Sequence, residues 1–222
     1  MSENPTKSYK GPGMNGVIGT WYAKNTQKKI EKYTRDAKKV LKALSDGDSV
    51  LELAPGPGYL SIELAKLGNF QISGVDISDK FVHMAQNNAG KAGVDVDFRH
   101  GDAAQIPFDD ESFNLVVCRA AFKNFAQPVI ALNEMKRVLK PGGKAVIIDF
   151  KGDVPKADIN KFVTDDMGFK GLNAMIIKWM FRNVVIKQAY TKEKFMAFVK
   201  ESNFETCDLK EGLIGIEAWL ER

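Results

Sequence analysis

The sequence predicts a doubly wound α/β fold: a mainly parallel, seven-stranded sheet with an N-terminal helical lid and a helical insertion after the fifth strand. Three observations carry this. Strand-like and helix-like segments alternate from Ser49 to Phe150. Within that run, Val50 to Leu60 passes from an apolar strand through an acid and a two-glycine turn into a helix. After Phe150 the alternation gives way to a long apolar-rich helical stretch, one more helix and two closing strand-like runs.

Taken in order, residues 1–44 form a tail and a basic amphipathic helix, read as the lid. Lys24, Lys28, Lys32, Arg35, Lys39 and Lys42 recur every three or four positions, with Ile30, Tyr33, Ala37, Val40, Leu41 and Leu44 opposite them. Strands follow near 49–54, 70–76, 94–100, 113–118 and 144–150, and helices near 59–67, 79–92 and 128–139. Gly68, Gly93 and Pro141-Gly142 act as stops. Residues 155–187 form the helical cap within a domain spanning 45–222. Thr191 to Asn203 is a further helix, and Glu205 to Leu220 forms two strands turning near Glu211-Gly212.

A chain of 222 residues fits one domain, or one with a cap, and 44% hydrophobic with 27% charged residues is ordinary for a soluble globular protein. No run of about 18 apolar residues is present to span a bilayer, and the N-terminus lacks the apolar core of a signal peptide, so the cytoplasm is the expected compartment. Cys118 and Cys207 do not make a disulfide framework, and with only His83 and His100 no metal-ligand cluster is expected. The net charge of +4 is uneven: residues 1–42 hold ten Lys or Arg against three acids, a net of +7, leaving −3 for the rest. Such a basic stripe suits anionic lipid, nucleic acid or an acidic partner, but a solvated face over a packed helix is the simpler reading.

The turn narrows the cofactor. A dinucleotide fingerprint has three glycines at G-x-G-x-x-G, so that backbone amides meet a pyrophosphate at a helix N-terminus. Here Gly56 and Gly58 fit, but the third position is Ser61, and Pro55 and Pro57 carry no N–H. Glu52, at the strand end, repels a pyrophosphate and welcomes an ammonium. S-adenosylmethionine has the ammonium and no phosphate. Asp76 ends the second strand at about the 20-residue spacing expected of an acid that binds ribose hydroxyls. Ile77 offers the adenine an apolar face, and Asp102, in Gly101-Asp102-Ala103 after the third strand, is placed to accept from the adenine amine. The bland alternative for each acid is a helix cap. It weakens when three strand ends in succession carry the pattern.

These residues resemble the class I S-adenosylmethionine-dependent methyltransferases, whose pattern is E/D-x-G-x-G-x-G, an acid after the second strand and an Asp after the third. Glu52, Ala54, Gly56, Gly58, Asp76 and Asp102 match it, with Ala54 replacing the first glycine. Ile106 to Phe113 and Val138 to Gly143 look like the small-molecule branch that includes the ubiquinone and menaquinone biosynthesis methyltransferases. The resemblance implies a Rossmann-like methyltransferase fold and a cofactor site of Glu52, Ala54, Pro55, Gly56, Gly58, Asp76, Ile77, Asp102, Ala103, Arg119 and, from the lid, Tyr22. It also implies methyl transfer to a small-molecule acceptor by in-line displacement.

The segment after the fourth strand departs from the family, which often has two histidines where this chain has Lys123 and Asn124. Arg119 and Lys123 are the catalytic candidates, two cations that favour a partly apolar, anionic acceptor. The alternative is that Lys123 faces solvent or pairs with an acid while Arg119 lines the cofactor site. Tyr22, Tyr190, His100 and Asp149 are further candidates for a base. Met167, Phe169, Met175, Ile176, Ile177, Trp179, Met180 and Phe181 either line an acceptor site or pack the cap onto the sheet. Two rival functions are carried forward: an RNA or protein methyltransferase, suggested by the basic helix, and a non-catalytic S-adenosylmethionine-binding protein.

Overall fold

The computed structural model describes residues 9–10 and 30–222. Helix α1 (Ile30–Val40) precedes an alternating run of β1 (Ser49–Leu53), α2 (Tyr59–Ala65), β2 (Gln71–Asp76), α3 (Asp79–Ala92), β3 (Asp97–His100), β4 (Phe113–Arg119), α4 (Pro128–Val138) and β5 (Leu139–Phe150). The cap holds α5 (Lys156–Lys161), α6 (Gly171–Met180) and α7 (Ile186–Gln188), with π-type turns at Phe162–Asp166 and Phe181–Val185. Helix α8 (Lys192–Glu201) leads into β6 (Thr206–Glu211) and β7 (Gly215–Glu221).

The seven strands lie in the order β3-β2-β1-β4-β5-β7-β6. Strands β1 to β5 pair in parallel, and β7 is antiparallel to both β5 and β6. The order reverses between β1 and β4, the switch point at which open α/β sheets bind ligands beyond their strand ends.

The strand period of two sorts the core. Val50, Leu115, Val117 and Val146 pack with Tyr33, Ala37, Val40, Leu60 and Leu64 of α1 and α2. The alternate residues Leu51, Leu53, Val116, Cys118, Ala145 and Ile147 pack with Leu132, Met135, Phe195 and Val199 of α4 and α8 on the other face. Strands β1, β4 and β5 are thereby buried on both sides, as parallel sheets require. Helix α1 belongs to this core, although Ile30, expected on its apolar face, is exposed.

Local chemistry sets the ends. Ser78 Oγ accepts from the Phe81 amide to start α3, and Gly93, at φ +66°, ends it. Thr191 caps α8 through the Lys194 amide. Two boundaries differ from expectation. The third strand begins at Asp97 rather than near Val94. Pro141-Gly142, expected as a stop, lies inside β5, which starts at Leu139 directly after α4 and whose pairing with β4 slips between Phe113 and Leu115. Gly142 takes φ +76° there, so the stop becomes an irregularity within one strand.

Candidate functional site

The first functional turn follows β1. Ala54 and Gly56 both have positive φ, +54° and +55°, and Pro55 lies between them. A Cβ built on Gly56 meets nothing within 4 Å, whereas one on Gly58 comes 2.7 Å from the Phe98 ring and 2.9 Å from Ala85. The two glycines therefore serve different ends. Gly56 leaves an open cradle above the strand end, while Gly58 lets the start of α2 pack against α3 and β3.

Glu52 is buried to 3% exposure. Its Oε2 accepts from the Ser61 amide at 3.0 Å and the Ser61 hydroxyl at 2.6 Å. Burial pushes its pKa up to about 7, against the two Ser61 bonds and the Arg119 charge, which pull it down. Ser61, seen in the sequence only as a missing glycine, is thus the residue that holds this acid.

Asp76 is buried at the end of β2. Its Oδ2 accepts from the Gly56 amide at 3.0 Å and its Oδ1 from the Ser78 amide at 2.9 Å. Burial raises its pKa, while the two amides and His100 oppose the rise. Each carboxylate oxygen retains a second lone pair. The adjoining Ile77 is among the exposed large apolar residues. Asp102 is half-buried and accepts from the Ala104 amide at 2.9 Å, and Ala103 packs against the main core. The loop that follows is clamped by Arg137, which donates to the carbonyls of Ile106 and Phe108 and pairs with Glu134 and Asp110.

At the end of β4, both candidate cations have acidic partners. Arg119 Nε lies 2.6 Å from Asp36 Oδ2, and its guanidinium stacks 4.2 Å from the Tyr33 ring. Lys123 is buried, with Nζ 2.9 Å from Asp149 Oδ1, and it also donates to the Ala120 carbonyl. The backbone amide of Lys123 donates to Asp149 Oδ2 at 2.8 Å. The alternative of a lysine paired with an acid thus describes Lys123, and Asp149 is its partner. Of the other base candidates, His100 Nε2 lies 3.1 Å from the Ile77 carbonyl oxygen, and Tyr190 donates to the Phe125 carbonyl within the core. Tyr22 and the segment from Gly13 to Thr26 lie outside the described residues. Tyr9 forms an antiparallel bridge to Phe125, so residues 9–10 run beside the exit of β4.

A cavity of about 230 Å³ lies beside Arg119, lined by Lys32, Arg35, Asp36, Phe162 and Asp166 in addition. It joins α1, the exit of β4 and the cap. Lys32, read from the sequence as part of a solvated face, has its Nζ 4.7 Å from the Phe162 ring centre, and burial lowers its pKa. Asp36 was missed as well. Its position three residues after Tyr33 and one before Ala37, on the apolar side of α1, was the available signal. A larger cavity, about 450 Å³, lies between α8 and the start of β6 and includes none of the strand-end residues. The smaller one is the cavity that reaches the exit of β4.

Residues 51–147 match a family model described as a methyltransferase domain. The chain is 34% identical over 137 residues to a ubiquinone/menaquinone biosynthesis C-methyltransferase of Bdellovibrio bacteriovorus, covering 61% of this chain and 55% of that protein. To the enzyme of the same name from Shewanella frigidimarina it is 31% identical over 187 residues, covering 79% of this chain and 74% of the other. The chain spans about half the length of the first of these relatives. A crystal structure of a Methanococcus maripaludis protein superposes with a TM-score of 0.71 at 22% identity, covering 100% of this chain and 97% of that one, which shows the fold.

Proposed function

We propose that this chain, which belongs to the class I S-adenosylmethionine-dependent methyltransferases and to their ubiquinone/menaquinone biosynthesis branch, methylates a ring carbon of a small, partly apolar quinone-type metabolite. The observation that carries the cofactor half is the cradle at Gly56, open where a Cβ would stand and floored by Asp76. Asp76 would take two ribose hydroxyls on its remaining lone pairs. Ile77 and Ala103 would flank the adenine, and Asp102 would accept from its amine. Glu52 would hold the ammonium, with Ala54, Pro55 and Gly58 shaping the turn.

When bound, the cofactor supplies a methyl group on a positively charged sulfur, an electrophile that needs no covalent help from the protein. The chain's own contribution is alignment and the exclusion of water. The cavity of about 230 Å³ would take the acceptor ring against Phe162, with an oxygen of the ring toward Lys32, Arg35 and Arg119. Arg35 and Arg119 would face that oxygen and favour its anion once Lys32 has taken up a proton. Lys32, with its pKa lowered by burial, is suited to remove a proton. The Lys123–Asp149 pair positions the backbone at the exit of β4. A ring carbon is chosen on the names of the relatives, C-methyltransferases at 34% and 31% identity.

The test is incubation with methyl-labelled S-adenosylmethionine and a reduced demethylquinone, followed by mass identification of the product. Label on a ring carbon is expected. Label confined to oxygen, nitrogen, sulfur, RNA or protein, or no transfer at all, would overturn the assignment.

A further inference from the structure

We infer that the outer face of α6 is a docking surface for an anionic lipid bilayer. Leu172, Met175, Ile176 and Trp179 stand at i, i+3, i+4 and i+7, a single stripe along the helix. They are 70%, 66%, 55% and 63% exposed. Val184, in the following turn, extends the stripe at 42%. The opposite side of the same helix is already engaged: Ala174 and Ile177, with Phe181 of the next turn, pack with Ile159, Val163 and Ile186 inside the cap. Helix α6 is therefore apolar on both sides. A helix apolar all round is ordinarily buried all round, and four large apolar residues in one solvent-facing stripe form a patch of the size that marks an interaction surface.

The charge around the stripe selects the occupant. From Gly168 to Tyr190 the chain has Lys170, Lys178, Arg182 and Lys187 and no acid. A second copy placed face to face would bring two such basic segments together. The chain's own residues 1–42, at net +7, carry the same sign. An anionic membrane surface complements both parts of the patch: headgroups meet the basic residues, and the stripe enters the boundary below them, where Trp is favoured. No helix among the described residues is long and apolar enough to cross a membrane, so the contact is one that lies on the surface. This inference does not depend on the identity of the acceptor.

The test uses the full chain and vesicles of phosphatidylcholine, with and without phosphatidylglycerol. The protein is expected to sediment with the anionic vesicles, and Trp179 emission, read in a Trp21→Phe/Trp219→Phe background, is expected to shift to the blue. The combined variant Leu172→Ser/Met175→Ser/Trp179→Ser should lower partitioning about tenfold or more, while its thermal unfolding in buffer shows that it folds. Lys178→Glu/Lys187→Glu should remove the preference for anionic lipid. Equal binding of parent and serine variant would place any attraction elsewhere and overturn the proposal. So would a dimer in sedimentation velocity that the serine variant converts to monomer, since a second copy would then be the occupant.

Discussion

At Asp76, two backbone amides take one lone pair from each carboxylate oxygen and leave the other two available. In the proposed complex those lone pairs would accept from two ribose hydroxyls, charge-assisted hydrogen bonds each worth about 1.5 kcal/mol or more. Asp76→Ala is therefore expected to weaken S-adenosylmethionine binding about 100-fold, measurable by titration calorimetry. Glu52 makes a different prediction. Its folded pKa of about 7 lies above the ordinary 4.5, so the protein holds a proton there that the unfolded chain has lost. Its contribution to stability is intact below about pH 4.5 and is lost as pH rises through about 7, a fall of about 3 kcal/mol. Denaturant unfolding of parent and Glu52→Gln across that window should show the fall only in the parent. In the proposed role of Glu52 at the cofactor's ammonium, Glu52→Gln should also bind the cofactor less tightly above about pH 7, where the carboxylate is charged. Asp76 could be read from the sequence because a strand end and a spacing announce it. The hold of Ser61 on Glu52 could not, because it depends on how α2 turns back over the strand.

At the scale of elements, the exit of β4 is built by pairing rather than by exposed charge. Lys123 and Asp149 join the turn after β4 to the end of β5, and Asp149 also accepts from the Lys123 and Phe150 amides. Lys123→Met leaves a buried carboxylate without its cation, and a loss of about 3 kcal/mol is expected in chemical denaturation. The double variant Lys123→Met/Asp149→Asn should recover part of it. The strands, helices and most stops were legible because periodicity and capping are local signals, as at Ser78 and Gly93. Pro141-Gly142 was not legible as part of β5. Whether a turn ends a strand or bends it depends on the neighbour it pairs with, here Phe113 to Leu115.

For the whole molecule, the proposed cofactor residues come from three successive strand ends and the turn after β1, so ligand binding would tie together parts far apart in the chain. At a concentration 100 times its Kd, S-adenosylmethionine should stabilise the fold by about 2.7 kcal/mol. For a chain of this size that is a rise in Tm of about 5–10 °C, which thermal scanning should detect in the parent and find reduced to about 1–2 °C in Asp76→Ala at the same ligand concentration. The amino-acid sequence by itself determined the doubly wound sheet and placed Glu52, Asp76 and Asp102 at successive strand ends, the pattern on which the cofactor proposal rests. Those depend on local periodicity and on spacing within consecutive strand-turn-helix units. Only the tertiary structure decided which charges are spent on one another and which line the cavity. Lys123 and Asp149, or Arg119 and Asp36, are 26 and 83 residues apart, and burial makes such a pair matter only once the chain has brought it together.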